Sequence, residues 1–113
     1  MTRLLIVSTT CLFLAAGAAS AQEMGMDAFI AKEGDSAATQ GYKASMMTMM
    51  HMAPAFTGDA DIDFMTQMKV HHQAAIDMAK VLLDNGKDAE TRKLAEDIIA
   101  AQDKEIAFID EWL

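Results

Sequence analysis

Residues 64–79, FMTQMKVHHQAAIDMA, have the clearest helical pattern in this chain. At 100° per residue, the apolar side chains gather on one side of a helix and the polar ones on the other. Two histidines, His71 and His72, lie inside the apolar sector, one on each side of its midline. Met68 precedes them by three and four residues, so the three side chains share one patch. The stretch therefore predicts an amphipathic helix whose apolar face has imidazole nitrogens and a thioether sulfur.

A second helix is predicted earlier in the chain, from Ser36 or Ala37 to Ala53. Its start has a hydroxyl that can cap the first turn, and Pro54 cannot continue the helix. A weaker pattern predicts a short helix at residues 27–32.

The central helix is expected to start after a cap at Asp61 or Asp63 and to end at Asn85, with Gly86 as its stop. Asp88 is expected to cap a last helix that runs to the end of the chain. No stretch alternates as a strand does, so the predicted fold is all-α. We expect a small antiparallel bundle of three to four helices joined by short loops.

The last helix has a predicted buried face with two polar members. Its apolar members are Leu94, Ala95, Ile98, Ile99, Ile106, Ile109, Trp112 and Leu113. Gln102 and Glu105 fall in the same sector. Because an unpaired carboxylate is costly to bury, these two side chains are expected to have partners on another helix.

The first 21 residues predict a secretory signal peptide. One arginine precedes an apolar run of residues 4–18, and Ala19-Ser20-Ala21 forms an A-x-A cleavage site. The run is short for a membrane span, so no stable membrane anchor is expected. The expected mature domain is residues 22–113. It contains no cysteine, since Cys11 lies in the signal, and therefore offers neither disulfides nor thiolate ligands.

The mature domain is acidic and rich in methionine. Removal of the signal leaves a net charge of −9 and retains 10 of the 11 methionines. Nucleic acid is therefore not an expected partner, whereas cations are attracted.

Two blocks of the sequence resemble one known family. Their residues are Met68, His71, His72, Gln102 and Glu105. They look like the central and second motifs of the domain of unknown function 305 (DUF305) family, which includes the periplasmic copper-binding protein CopM. The resemblance covers about residues 59–113. It implies a ferritin-like helical bundle, secretion to the periplasm, and binding of copper or a similar soft metal. The family often has methionine where this chain has Ile109.

The resemblance and the helical pattern together predict a copper site. The expected ligands are Met65, Met68, His71, His72 and Met78. Imidazole with thioether suits Cu(I) or Ag(I), whereas imidazole with carboxylate suits Cu(II) or Zn(II). Gln102 and Glu105 are expected to orient the histidines rather than to bind the ion.

The methionine-rich run of the earlier helix leaves its role open. Met47 and His51, four residues apart, are a candidate peripheral metal site. The other methionines on this helix, Met46, Met49 and Met50, fit the core better than a metal site, because methionine fills irregular cores, but the sequence does not decide between the two roles.

Three classes of function remain open at this point. The first is a periplasmic copper-binding protein for buffering, resistance or hand-over to an unidentified partner. The second is a structural or protein-interaction domain with a methionine-rich core, in which the histidines bond Gln102 and Glu105. The third, a di-iron oxidase, is disfavoured because no histidine here has a glutamate three residues before it. We therefore expect no enzyme activity, and self-association is left open.

Overall fold

The computed structural model describes residues 25–113, and all regular structure in this range is helical. The complete helices are α1 (Ala37–His51), α2 (Ala60–Asn85) and α3 (Ala89–Trp112). The prediction of a small all-α bundle is confirmed. The predicted signal peptide, residues 1–21, lies outside the described residues. Within residues 25–113, no helix has both the length and the apolar character needed to cross a bilayer.

The segment before α1 is tied to that helix by one lysine. Lys43 donates to the Asp35 carboxylate at 2.8 Å and to the Ile30 carbonyl at 3.1 Å. The pKa of Asp35 is lowered mainly by the hydrogen bond from Lys43 and to a smaller extent by one from the Lys32 amide. The predicted helix at residues 27–32 is wrong, since the chain is helical at residues 25–27 and then turns.

Helix α1 starts as predicted and ends two residues early. The Ser36 hydroxyl accepts a hydrogen bond from the Thr39 amide at 3.1 Å, so Ser36 is the N-cap. The helix ends at His51 rather than at Ala53. Steric conflict with the ring of Pro54 disfavours helical geometry at the residue before it, which accounts for the earlier end.

The N-cap of α2 is Asp59, so the prediction of Asp61 or Asp63 is wrong. The Asp59 carboxylate accepts from two amides of the first turn, each at 3.0 Å. Asp63 instead reaches back to accept from the Thr57 amide at 2.7 Å and the Gly58 amide at 3.0 Å. These bonds lower the pKa of Asp63. They also stabilise the turn, in which Gly58 has a φ of +89°.

Helices α2 and α3 form a hairpin. α2 ends at Asn85, and Gly86 follows it as predicted, although its φ is −81° rather than positive. A Cβ at Gly86 would lie 2.7 Å from the Leu82 carbonyl oxygen, so close approach explains the glycine here. From α3, Arg92 donates to the carbonyls of Leu83 at 2.7 Å and of Gly86 at 3.0 Å. Its positive charge suits the negative end of the α2 dipole.

Asp88 caps α3, as predicted, and gives a pH-dependent contribution to stability. Its carboxylate accepts from the Thr91 amide at 2.9 Å, and this bond is the main reason why the pKa of Asp88 is lowered. A carboxylate whose pKa is lower in the folded than in the unfolded protein stabilises the fold at any pH above its unfolded pKa of about 3.9. This stabilisation is lost as the pH falls through the folded-state pKa.

We therefore expect Asp88→Ala to lower the melting temperature by a few degrees at pH 7, with the difference from the parent shrinking below about pH 4. Thermal melts across this pH range measure it. Asp103→Ala, an exposed carboxylate on the same helix, is the control. An equal loss at pH 7 and at pH 2.5 for Asp88→Ala would contradict the assignment.

Helix α2 lies between the other two and packs antiparallel to both. Toward α1, the buried Ser45 hydroxyl donates to the Ala74 carbonyl at 3.4 Å. Toward α3, Lys69 pairs with Asp110. In the described part of the chain, no Cα atom of α1 lies within 8 Å of one from α3. Two different flanks of α2 are therefore covered, rather than the single apolar sector that the sequence predicts.

This open arrangement buries fewer side chains than the sequence predicts. The buried apolar residues are Ala74, Ile76, Ala79, Ala95 and Ile109. The predicted burial of Leu94, Trp112 and Leu113 is wrong, since these residues are 58%, 46% and 52% exposed. Leu94 lines an open groove between the helices rather than a closed core, and Trp112 and Leu113 lie at the end of the chain.

Candidate metal centre

The adjacent histidines of α2 point to different flanks of the helix. Their ring centroids are 6.3 Å apart, with an angle of 63° between the ring planes. His72 is buried, with 6% of its surface exposed, whereas His71 is exposed. One helical step of 100° thus separates a histidine facing α3 from one near α1. The predicted location of both in one buried sector is wrong for His71.

His72 is held by a carboxylate from α3. Its Nε2 lies 2.5 Å from Oε2 of Glu105, whose side chain is 59% exposed. An ionised carboxylate can only accept, so Nε2 carries the proton in this hydrogen bond. In the neutral imidazole, the lone pair is then on Nδ1. The same arrangement of carboxylate and imidazole orients histidine ligands in metal proteins.

The other ring nitrogen of His72 is a buried polar atom with no hydrogen-bond partner in the described part of the chain. Gln102 on α3 has a second such atom, its Oε1. Leaving a buried polar atom unpaired costs about 1–3 kcal/mol, so folds retain few of them. An atom of this kind on a well-oriented imidazole is a candidate ligand atom.

The crevice around His72 is lined with thioether sulfur and apolar side chains. It has a volume of about 220 Å³ and lies between α2 and α3. We call it the His72 crevice, and its lining residues are Phe64, Met65, Met68, His72, Glu105, Phe108 and Ile109. The crevice thus combines one imidazole and two thioethers with the carboxylate that orients the imidazole.

A second crevice lies on the other covered flank of α2, between α1 and α2. We call it the His71 crevice. It has a volume of about 330 Å³ and is lined by Met49, Met50, Ala53, Gln67, Met68, Val70 and His71. Met68 therefore lines both crevices. A helical wheel does not show which face of α1 meets α2, so the roles of Met49 and Met50 are not predictable from the sequence.

Three predicted ligands lie elsewhere. Met78 is ten residues after Met68, about 15 Å further along the axis. It is 40% exposed and lines an apolar groove of about 340 Å³ with residues such as Tyr42 and Leu94. Met47 is half-buried and His51 is exposed, and neither lines the His72 or the His71 crevice.

Histidine and methionine side chains line both crevices. Within residues 25–113, no three histidine, cysteine, aspartate or glutamate side chains cluster as metal ligands. The potential donors shared by the two crevices are therefore imidazole nitrogen and thioether sulfur. This set fits Cu(I) or Ag(I) better than a hard cation.

Comparison with known proteins gives one family. Residues 16–113 match the model of a family described as a domain of unknown function, DUF305. None of the curated proteins matches this chain.

Proposed function

This chain belongs to the DUF305 family, and from that premise we propose that it binds copper as Cu(I), or a similar soft ion such as silver, in the periplasm. The role is that of a CopM-like binding protein that buffers the ion or passes it on, rather than that of an enzyme. The proposed ligands are His72, Met65 and Met68. Glu105 orients the imidazole.

The observation that carries this proposal is the unpaired Nδ1 of His72. The residue is buried, its Nε2 is engaged by Glu105, and Nδ1 has no partner among the described residues. A fold that needed only packing at this position would do better with an apolar side chain, because the orphan nitrogen is costly. A bound cation would use this lone pair and remove the cost.

The composition of the His72 crevice supports a soft ion. Met65 and Met68 supply thioethers beside the imidazole, a combination that prefers Cu(I) to Cu(II). Ile109, where the family often has methionine, lines the same crevice. A further thioether at that position would face the same place, which agrees with a metal centre there. The net charge of −9 expected for the mature domain adds a general attraction for cations.

We expect Met68→Leu and Met65→Leu each to weaken Cu(I) binding at least ~10-fold with little change for Cu(II), because thioether favours the softer ion. Leucine nearly conserves the volume, so the stability cost should stay under about 1.5 kcal/mol. Competition against chromogenic Cu(I) and Cu(II) chelators measures the affinities. Met78→Leu on the same helix is the matched control, since that residue lines the apolar groove. Unchanged Cu(I) affinity in folded Met65 and Met68 variants would refute the proposal.

A helical interaction domain is the second candidate, and the exposed aromatic side chains favour it. Phe64 and Phe108 are each 61% exposed at the mouth of the His72 crevice. If the protein is an interaction domain, replacing Phe64 and Phe108 with serine should abolish its association with a partner or with itself. The Met65 and Met68 variants should then have the metal affinity of the parent protein. Under the copper-binding function the thioether variants have the effect described above. The same set of proteins therefore separates the two candidates.

A further inference from the structure

We propose that the His71 crevice is a second, separate binding site for a soft monovalent cation, with Met49 and Met50 of α1 and Met68 and His71 of α2 as its donors. Three thioethers and one imidazole from two helices line one crevice. The choice of ion rests on the proposed function, but apart from Met68 the donors differ from those of the His72 crevice.

The end of α1 gives this crevice a favourable field for a cation. Met49 and Met50 are in the last turn of α1, which ends at His51. Carbonyl groups without helical partners make the C-terminus of a helix equivalent to about half a negative charge, and the effect is felt within the last turn. The His72 crevice is also near a helix C-terminus, since Phe108 and Ile109 lie close to the end of α3 at Trp112.

The two helices are fixed to each other at this end of the crevice. The Gln67 side chain donates to the Pro54 carbonyl at 2.8 Å, so the chain leaving α1 is tied to α2. Gln67 itself lines the crevice. The spacing between the thioethers of α1 and the donors of α2 is therefore set before an ion arrives, which lowers the ordering cost of binding.

The two imidazoles differ in exposure. His71 is exposed, whereas His72 has 6% of its surface exposed. Both crevices are nonetheless open to solvent, since Glu105 and Phe108 at the His72 crevice are themselves exposed. Met68 lines both crevices and is a shared donor between them.

Native mass spectrometry of the purified protein titrated with Ag(I) tests the inference. We expect the parent protein to bind two ions. Met49→Leu/Met50→Leu should bind one, and His71→Ala should also bind one. Met46→Leu is the control on the same helix and should retain two, since this methionine does not line the crevice. Labelled methionine methyl groups give a second readout, because those of Met49 and Met50 should shift on addition of Ag(I).

The outcomes separate this inference from the proposed function. Two ions bound by a folded Met49→Leu/Met50→Leu protein, with methyl signals that do not move, would overturn the second site. Loss of one ion in that variant, together with no loss in His72→Leu, would support the second site and refute the first. If Met49→Leu/Met50→Leu and His72→Leu each lose one ion, and the protein with all three substitutions loses both ions, the two sites are both supported.

Discussion

His72→Leu is expected to make the metal-free protein more stable and to remove the metal site of the His72 crevice. Leucine has a similar volume and no polar atom, so the buried Nδ1, which has no partner within residues 25–113, disappears. Relief of such an atom is worth about 1–3 kcal/mol. Glu105 is 59% exposed and can bind water instead, so the lost hydrogen bond offsets only part of this gain. The melting temperature should therefore rise by a few degrees.

The same substitution is expected to weaken Cu(I) binding at this crevice at least ~100-fold. Loss of an orienting partner alone typically costs about 10–100-fold in metal affinity, and loss of the ligand costs more. Glu105→Gln is the matched variant, because its amide oxygen still accepts from Nε2 while the negative charge is removed. It should weaken binding by about 10–100-fold. Melts of the apo proteins and chelator competition measure both effects. A less stable His72→Leu protein with parental Cu(I) affinity would show that this histidine serves only the fold.

Gly41→Val is expected to separate α1 from α2. A Cβ at Gly41 would lie 2.6 Å from Cγ2 and 3.0 Å from Cγ1 of Val81 on the facing helix. In a helix the branched side chain of Val81 strongly prefers one χ1 rotamer, so moving both methyls away from residue 41 is costly. Overpacking of this kind costs about 1–3 kcal/mol, and the additional methyls of valine bring the loss to the upper end. A drop in melting temperature of roughly 10 °C or more follows.

Gly41→Val should also abolish metal binding in one crevice and leave it unchanged in the other. The His71 crevice needs α1, whereas the His72 crevice is lined by residues of α2 and α3. Gly41→Val should therefore lose the ion of the His71 crevice and retain that of the His72 crevice. Ala44→Val, at an exposed position of α1, controls for the lower helix propensity of valine.

A pair of smaller substitutions isolates the contact between the two helices. Gly41→Ala alone should destabilise the protein. In a Val81→Ala background the same change should stabilise it by about 1 kcal/mol, because the facing methyls are gone and alanine is the better helix former. The Cβ of residue 81 then lies at 3.4 Å, an ordinary contact distance. No change of sign between the two backgrounds would contradict the steric explanation.

Most of the helix bounds and helix caps of this protein can be predicted from its sequence. Helical periodicity, the caps at Ser36 and Asp88, and the end of α2 at Asn85 depend on neighbours within four residues, and all are as predicted. The N-cap of α2 was harder to predict, because the aspartates at 59, 61 and 63 can each cap a helix. Asp63 accepts from the Thr57 amide instead, and that contact depends on how the chain turns before the helix.

Only tertiary contacts show which flank of α2 packs against α1 and which packs against α3. A helical wheel gives the direction of a side chain but not the identity of the helix opposite it, since contacts between helices join residues that are far apart in sequence. His71 and His72 therefore looked like one patch, and the packing of α1 and α3 against different flanks placed them in separate crevices. The same packing brought Met49 beside His71 and left Met78 in an apolar groove. Donor types come from sequence, but their grouping comes from the packing of the helices.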